Sequence, residues 1–176
     1  MKNFLREAEY YQLVGLMDGV QDVLNKNKGE EDKPCPDLTR AGVIDKYLKN
    51  LQGLDLSGLD LSCLDLSGMD FTNAYVRNTI FSDANLSDAK FTGAYAEGAI
   101  FDNAELKGSC MCDADLAGAS FVGAGLQGAN LRGASLIGCS FEEAYMKGAG
   151  FYHEDMPTVN LKGAIEVDSI IVTRKG

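Results

Sequence analysis

The chain has 176 residues, a formal net charge of −10 at pH 7 and 45% hydrophobic residues, which suits one modest domain with a short appendage. Its apolar runs are too short to span a membrane, and the N-terminal stretch MKNFLREAEYYQL lacks the apolar core of a secretory signal. None of the five cysteines belongs to a CxxC pair. We therefore expect a reduced compartment, the cytoplasm or alternatively the nucleus, and no membrane association.

The acidity is concentrated in the C-terminal part of the chain. Residues 1–50 hold 8 basic and 9 acidic side chains, whereas residues 51–176 hold 8 and 17, so the two parts carry charges of −1 and −9. This balance argues against direct nucleic-acid binding, which depends on neutralising phosphates. It is compatible with a basic partner or with a surface that imitates nucleic acid.

The first predicted element is helical. Residues 3–25 are expected to form two short helices that are separated near Val14 and Gly15, with apolar side chains that need a partner surface. Within this element the stretch FLREAEYYQL, residues 4–13, resembles the C-terminal end of a BTB/POZ domain of the potassium-channel-tetramerisation (KCTD) type. Residues 1–25 are therefore interpreted as the helical remnant of such a domain.

The BTB/POZ resemblance also implies partners. In this family a BTB/POZ domain followed by repeats is associated with adaptors for cullin-based ubiquitin ligases, or with scaffolds. Only the C-terminal end of the domain matches here, so contact with a cullin and oligomerisation would both need the full BTB domain.

Residues 26–50 connect this element to the repeats. The charged stretch NKNKGEEDKP, which contains Gly and Pro, predicts a linker over residues 26–36. Residues 37–50, DLTRAGVIDKYLKN, predict a helix that Asp37 or Thr39 caps. Its apolar stripe, which includes Val43 and Tyr47, is expected to cover the first coil of the following domain.

A strict period of five runs through residues 51–165. From Leu51 to Leu161 every fifth residue is apolar, and we call this the central position. Two places before it, from Ala74 to Ala149, Ala predominates, with Thr79, Ser109 and Cys139 as exceptions. Two places after it Gly, Asn and Asp predominate, the residues that tolerate left-handed backbone. Each pentad is therefore predicted to be a short extended side followed by a corner.

The phenylalanines indicate how many sides make one coil. Seven of them occupy central positions, at residues 71, 81, 91, 101, 121, 141 and 151, and all fall on alternate pentads. Four sides per coil would place them on two opposite walls, with Phe81, Phe101, Phe121 and Phe141 in one internal column. Three sides would scatter them over every wall. We therefore predict a square coil of twenty residues.

Stretches such as DADLAGASFVGAGLQGANLRGASLIGCSF resemble the pentapeptide-repeat proteins. The resemblance implies an all-β solenoid, a right-handed quadrilateral β-helix, here with N-terminal helices that cap or flank it. The pattern fails over residues 152–159, where a bulging loop is predicted. Residues 166–176 are expected to be a C-terminal tail or a final strand.

Few residues suggest chemistry. The single histidine, His153, is in an irregular segment, and no phosphate-binding glycine loop is present. Cys110 and Cys112 should point outward, but two ligands are too few for structural zinc. Asp55, Asp60, Asp65 and Asp70 occupy one side each of the first coil and are interpreted as a solvated collar, with calcium binding as the less favoured alternative. We predict no catalytic, cofactor or metal site.

Apolar residues on the outside are the main anomaly. Tyr75 and Tyr95 are twenty residues apart, as are Ile80 and Ile100, and all four directly precede a central position. They should form a patch around one edge of the solenoid. Such a patch suggests a protein-binding site, or alternatively side chains that support a narrow interior near Val76 and Ala96 or pack under the N-terminal helices.

The favoured function is therefore a non-enzymatic protein-interaction scaffold, linked by resemblance to KCTD-type substrate adaptors. The alternative is an acidic nucleic-acid mimic that acts on a DNA topoisomerase, as pentapeptide proteins of the fluoroquinolone-resistance type do. The KCTD-like N-terminus disfavours this alternative. An enzyme is the least favoured of the three classes.

Overall fold

A computed structural model describes residues 51–152, 159–167 and 171–173 of the chain. The chain divides into two compact units, Met1–Leu48 and Lys49–Gly176, and every described residue belongs to the second. The helices predicted within residues 1–25 and 37–50, and the linker between them, lie outside the described residues. The described residues contain no α-helix, and their two strands are β1 (Gly150–Tyr152) and β2 (Ile171–Thr173).

Backbone pairing repeats every twenty residues. The residue before each central position forms a parallel bridge with the residue twenty places later, as Tyr75 does with Tyr95 and Ile80 with Ile100. The amide of Phe71 donates to the carbonyl of Lys90 over 2.7 Å, and similar hydrogen bonds join all successive coils. Four pentads therefore complete one coil, and the predicted four-sided β-solenoid is confirmed.

The four walls are named here by the residues on their outer surfaces. The Tyr wall carries Tyr75 and Tyr95, and the Ile wall carries Ile80 and Ile100. The Glu wall carries Asn85 and Glu105, and the Cys wall carries Lys90 and Cys110.

The phenylalanines form two internal columns. On the Ile wall, Phe81, Phe101, Phe121 and Phe141 stack with consecutive ring centroids 5.0, 4.9 and 4.8 Å apart. On the opposite Cys wall, Phe71 and Phe91 stack at 4.6 Å. Rings from the two walls meet edge to face, as Phe81 and Phe91 do at 5.8 Å and 86°. All these rings are fully buried, which confirms the predicted column.

The positions two places before the centre are also internal. The alanines from Ala74 to Ala149 are buried, and two of the three polar exceptions donate to backbone carbonyls, whereas the buried hydroxyl of Ser109 has no hydrogen-bond partner. The Thr79 hydroxyl donates to the carbonyl of Leu56 over 2.8 Å, and the Cys139 thiol donates to the carbonyl of Leu116 over 2.9 Å. Burial raises the pKa of Cys139 to about 11. Cys139 is therefore a core residue.

The sizes of the interior side chains on the Cys wall and the Tyr wall compensate for each other. In the coil where Phe91 lies on the Cys wall, the Tyr wall contributes the small Ala96. In the next coil the Cys wall has Met111, and the Tyr wall contributes the larger Leu116. All four side chains are fully buried. Because the two walls border one interior, the large Phe91 is matched by the small Ala96, and the smaller Met111 is matched by the larger Leu116.

The corners use left-handed backbone. In the pentad that begins at Phe71, the amide of Ala74 donates to the carbonyl of Phe71 over 3.0 Å, which closes a four-residue turn. Its third residue, Asn73, has a φ of 56°. Glycine, Asn and Asp are favoured at such a position, which explains their period of five. Cys63 and Glu143 adopt positive φ as well, so the coil imposes the corner even on less suited residues.

The two ends of the solenoid depart from the regular pattern. In the first coil, Leu54 and Leu59 are half-buried and Leu64 is buried, where later coils have small residues. At the other end, β1 pairs in parallel with β2, and Gly150 faces Ile171 after twenty-one residues instead of twenty. Asn160 and Ile165 keep the period of twenty. The loop predicted over residues 152–159 lies mostly outside the described residues.

Candidate functional site

The two tyrosines form a ladder on the outside of the Tyr wall. Their ring centroids are 4.7 Å apart with an angle of 8° between the planes, and each side chain is 39% exposed. The parallel bridge between Tyr75 and Tyr95 sets this distance, because neighbouring strands are about 4.8 Å apart. The rings are therefore held side by side by the backbone and leave their edges to solvent.

Ile80 and Ile100 form the second half of the candidate surface. They bridge to each other on the adjacent Ile wall, and both are half-buried. The structure therefore brings the four predicted residues together as two vertical pairs on two walls that share a corner. We call Tyr75, Tyr95, Ile80 and Ile100 the apolar edge.

Arg77 lies beside the apolar edge and was not predicted from the sequence. It lies in the corner between the two walls, and its guanidinium carbon lies 5.9 Å from the centroid of Tyr75 and 5.4 Å from that of Tyr95. Its Nε lies 3.8 Å from a carboxylate oxygen of Glu97. Positions 77 and 97 are twenty apart, so this pair could have been found by the rule that placed the tyrosines.

Acidic residues border the apolar edge above and below. On the Tyr wall, Asp55 bridges to Tyr75 from the coil before, and Asp115 bridges to Tyr95 from the coil after. On the Ile wall, Asp60 bridges to Ile80. With Glu97, these carboxylates give the border a negative charge that the single guanidinium of Arg77 does not balance.

The aspartates of the first coil have a local structural role that the sequence reasoning missed. Asp55, Asp60, Asp65 and Asp70 each accept the amide of the residue two places later, over 3.0 to 3.2 Å. These amides belong to the corners and are not part of the ladder between coils. Hydrogen bonds from the hydroxyl and the amide of Ser57 lower the pKa of Asp55.

The geometry of the collar bears on the calcium alternative. The four carboxylates lie on four different walls, so they do not converge on one point. Among the described residues, no group of three or more His, Cys, Asp or Glu side chains could hold a metal ion. His153 lies outside the described residues.

A shallow depression lies on the Glu wall. It has a volume of about 650 Å³ and is bordered by Glu105, Lys107 and Gln127 around the small Gly123 and Gly125. It exists because Gly125 replaces a side chain in the outward column between Glu105 and Tyr145. It does not include any residue of the apolar edge.

Cys110 and Cys112 are half-buried on the Cys wall, and their sulfur atoms lie 3.2 Å apart. The sequence placed both outward but did not anticipate their contact. No helix among the described residues is long and apolar enough to cross a membrane.

Comparison with known proteins identifies the repeat. The family model described as "Pentapeptide repeats" matches residues 50–88, 79–118 and 124–163. A curated relative, the FH protein interacting protein FIP2 of Arabidopsis thaliana, is 50% identical over 101 residues. That match covers 55% of this chain but only 32% of FIP2, so the chain spans about a third of the length of this relative.

Two solved structures are also similar. A pentapeptide repeat protein from the Arabidopsis thaliana thylakoid lumen is 32% identical, with a TM-score of 0.40, over 58% of this chain and 61% of that protein. QnrB1, a plasmid-mediated fluoroquinolone resistance protein, is 17% identical, with a TM-score of 0.37, over 70% of this chain and 79% of QnrB1. Since the family model covers more than half of the residues, the chain belongs to the pentapeptide-repeat family.

Proposed function

We propose that the solenoid is a non-enzymatic interaction scaffold and that the apolar edge is its partner-binding face. The observation that supports this proposal is the stacked pair of Tyr75 and Tyr95, each 39% exposed on a wall whose other outward residues are polar. Exposed aromatic rings held in one geometry lose little conformational entropy on binding, and such patches often mark interaction sites.

The interior behind the two tyrosines is fully buried. Val76 and Ala96 are fully buried, and the phenylalanines of the Ile and Cys walls occupy the space beside them. This weakens the alternative in which Tyr75 and Tyr95 support a narrow core. The alternative in which the N-terminal helices cover the apolar edge concerns residues outside the described ones, and the experiment below distinguishes it.

The acidic border defines the chemistry of the partner. A segment that fits the apolar edge would present aliphatic or aromatic side chains flanked by Lys or Arg, which would face Asp55, Asp60 and Asp115. Such a partner matches the charge of −9 that residues 51–176 carry. The name of FIP2 describes a protein that interacts with an FH protein, which favours a protein over a nucleic acid as partner class.

The test is a peptide array probed with the full chain and with two variants. The double substitution Tyr95→Ser with Ile100→Ser removes half of the apolar edge. The control, Ile137→Ser, removes an isolated isoleucine that is 68% exposed elsewhere. We expect bound peptides to combine basic and apolar residues, and binding to fall at least about tenfold in the double variant but not in the control.

The outcomes separate the alternatives. Equal binding by all three proteins would exclude the apolar edge as the partner face. Tighter binding after removal of residues 1–50 would indicate that the N-terminal segment covers it. An FH protein, chosen from the name of FIP2, is the first complete partner to test by the same comparison.

A more specific proposal than the interaction scaffold is that the chain is related to KCTD-type adaptors of cullin-based ubiquitin ligases. It is supported by the resemblance of residues 4–13 to the end of a BTB/POZ domain. The test is a binding assay between a cullin and the product of the complete gene. Absence of a BTB-coding stretch upstream of Met1 would contradict this proposal and leave the scaffold proposal intact.

The charge of residues 51–176 supports a second candidate, an acidic mimic of nucleic acid that acts on a DNA topoisomerase. A supercoiling assay with DNA gyrase tests it. Inhibition that disappears at high salt would favour the mimic, whereas unchanged supercoiling would exclude it for this enzyme.

A further inference from the structure

Two thiols are in contact on the outside of the Cys wall. Cys110 and Cys112 flank the fully buried Met111, so both side chains leave the wall on its outer face. Their sulfur atoms are 3.2 Å apart, and the hydroxyl of Thr92 lies 3.4 Å from the sulfur of Cys110. Both residues are half-buried and neither is in a disulfide. Reagents in solution can therefore reach them.

The surroundings shift the pKa values of the two thiols in opposite directions. Burial acts to raise the pKa of Cys110, but hydrogen bonds with Thr92 and with the amide and thiol of Cys112 outweigh it and leave this pKa lowered. Burial, the contact with Cys110 and the charge of Asp113 raise the pKa of Cys112 to about 12. Because the thiolate is the nucleophilic form, Cys110 is the more reactive of the pair.

We propose that Cys110 and Cys112 form an oxidisable dithiol site, at which a peroxide converts the two neighbouring thiols into an intramolecular disulfide. The Cys110 thiolate attacks the terminal peroxide oxygen, the O–O bond breaks, and the sulfur takes the OH group as a sulfenic acid. The other oxygen leaves as an alkoxide or hydroxide, which takes up from solvent the proton that Cys110 had released and becomes an alcohol or water. The Cys112 sulfur then attacks the Cys110 sulfur. The S–O bond breaks, hydroxide leaves with the proton from Cys112 as water, and the two electrons of the thiols have reduced the peroxide.

The backbone of the wall permits this bond but does not favour it strongly. Two residues of extended chain advance by about 6.6 Å, near the upper end of the Cα separations of about 4.4–6.8 Å that disulfides span. A bond at this limit is strained, and strained disulfides are easily reduced. The site therefore cycles: peroxide closes it, and a small thiol or dithiol reopens it.

Cys139 provides an internal control. It is only 2% exposed, its thiol donates to the carbonyl of Leu116, and its pKa is about 11. A peroxide in solution should not oxidise it while the solenoid is folded. Selective reaction at the pair, with Cys139 spared, is what distinguishes a dithiol site from general oxidation.

The experiment treats the full, reduced chain with hydrogen peroxide, blocks the remaining thiols with an alkylating agent and analyses tryptic peptides by mass spectrometry. Cleavage after Lys107 and Arg132 yields one peptide that holds Cys110, Cys112 and no other cysteine. We expect this peptide to lose the mass of two hydrogen atoms and to regain it with dithiothreitol. Met111, in the same peptide and fully buried, should remain unoxidised.

Two substitutions test the division of roles. Cys112→Ser should stop disulfide formation and leave a sulfenic acid on Cys110 that a dimedone reagent traps. Cys110→Ser should slow the reaction of this peptide with peroxide about tenfold or more, because the remaining thiol is rarely a thiolate.

Equal peroxide rates in Cys110→Ser and Cys112→Ser would overturn the assigned roles. Overoxidation of each cysteine without a disulfide would overturn the dithiol site itself. Disulfide formation at the same rate in urea-unfolded chain would show that adjacency in sequence suffices, and would also overturn the proposal, since the folded wall would then contribute nothing.

Discussion

The ring of Tyr75 lies parallel to the ring of Tyr95 on the outside of the solenoid, with centroids 4.7 Å apart and planes 8° apart. The same twenty-residue step stacks Phe101 on Phe121 inside, with centroids 4.9 Å apart. One backbone period therefore builds an exposed aromatic ladder and a buried one from the same kind of contact. What separates them is only whether a residue occupies the central position or the place before it.

This difference predicts unequal effects of substitution on stability. We expect Tyr95→Ser with Ile100→Ser to lower the free energy of unfolding by about 1–2 kcal/mol, the scale of cross-strand side-chain pairs. Phe101→Ala should lower it by about 3–5 kcal/mol because it leaves a cavity in a column that is fully buried. Urea denaturation followed by circular dichroism measures both. Equal losses would mean that the apolar edge supports the fold.

Compensation between walls predicts a non-additive pair of substitutions. Ala96→Leu alone should overpack the coil that contains Phe91 and lower the free energy of unfolding by about 1–3 kcal/mol. Adding Phe91→Met reproduces the combination of Met111 and Leu116 found one coil later, and should recover most of that loss. A double-mutant cycle in urea measures the coupling. Additive free energies would contradict the compensation.

Two glycines at corners are expected to lose different amounts of stability when each is changed to Ala. Gly93 and Gly118 both have positive φ, of 64° and 68°. A Cβ on Gly93 would lie 2.6 Å from the side-chain oxygen of Asn73, whereas one on Gly118 would meet nothing within 4 Å. Both changes to Ala should cost about 1–2 kcal/mol of stability from backbone strain, with an additional loss for Gly93→Ala. The double variant Asn73→Gly with Gly93→Ala should remove only that additional loss in thermal melts.

The lowered pKa of Asp55, in the first coil, predicts that the stability of the solenoid depends on pH. Hydrogen bonds from Ser57 hold its pKa below the reference value of 3.8, so the folded chain favours the carboxylate. This contribution is complete above the unfolded pKa and is lost as the pH falls through the folded one. Because Asp55 is exposed, it amounts to a few tenths of a kcal/mol. The stability difference between wild type and Asp55→Asn should change only in this acidic range.

The hydroxyl of Ser57 supplies the control for this prediction. Ser57→Ala removes the largest cause of the shift, so an NMR titration of the Asp55 carboxyl carbon should give a higher pKa in the variant than in the wild type. Identical titration curves would show that the hydroxyl of Ser57 does not contribute to the lowered pKa of Asp55.

Much of the candidate site could be predicted from the register, that is, from which residues lie next to each other in successive coils. Once four pentads make a coil, Tyr75 must neighbour Tyr95 and Ile80 must neighbour Ile100, because residues twenty apart bridge. Arg77 and Glu97 obey the same rule and were overlooked because charged residues at a corner look like ordinary solvated surface. The contact between Cys110 and Cys112 could not be predicted, since it depends on the rotamers of two side chains that share one face.

The period of five by itself determined the architecture: large central residues, small ones two places before and turn formers two places after admit only a repeating side and corner. The alternation of Phe determined that the sides number four. Only the tertiary structure decided why Ala96 stands where Leu116 stands one coil later, and why the collar aspartates are needed at their corners. Side-chain volume is shared across walls that are five residues apart, and amide groups left out of a ladder are visible only once the ladder is built.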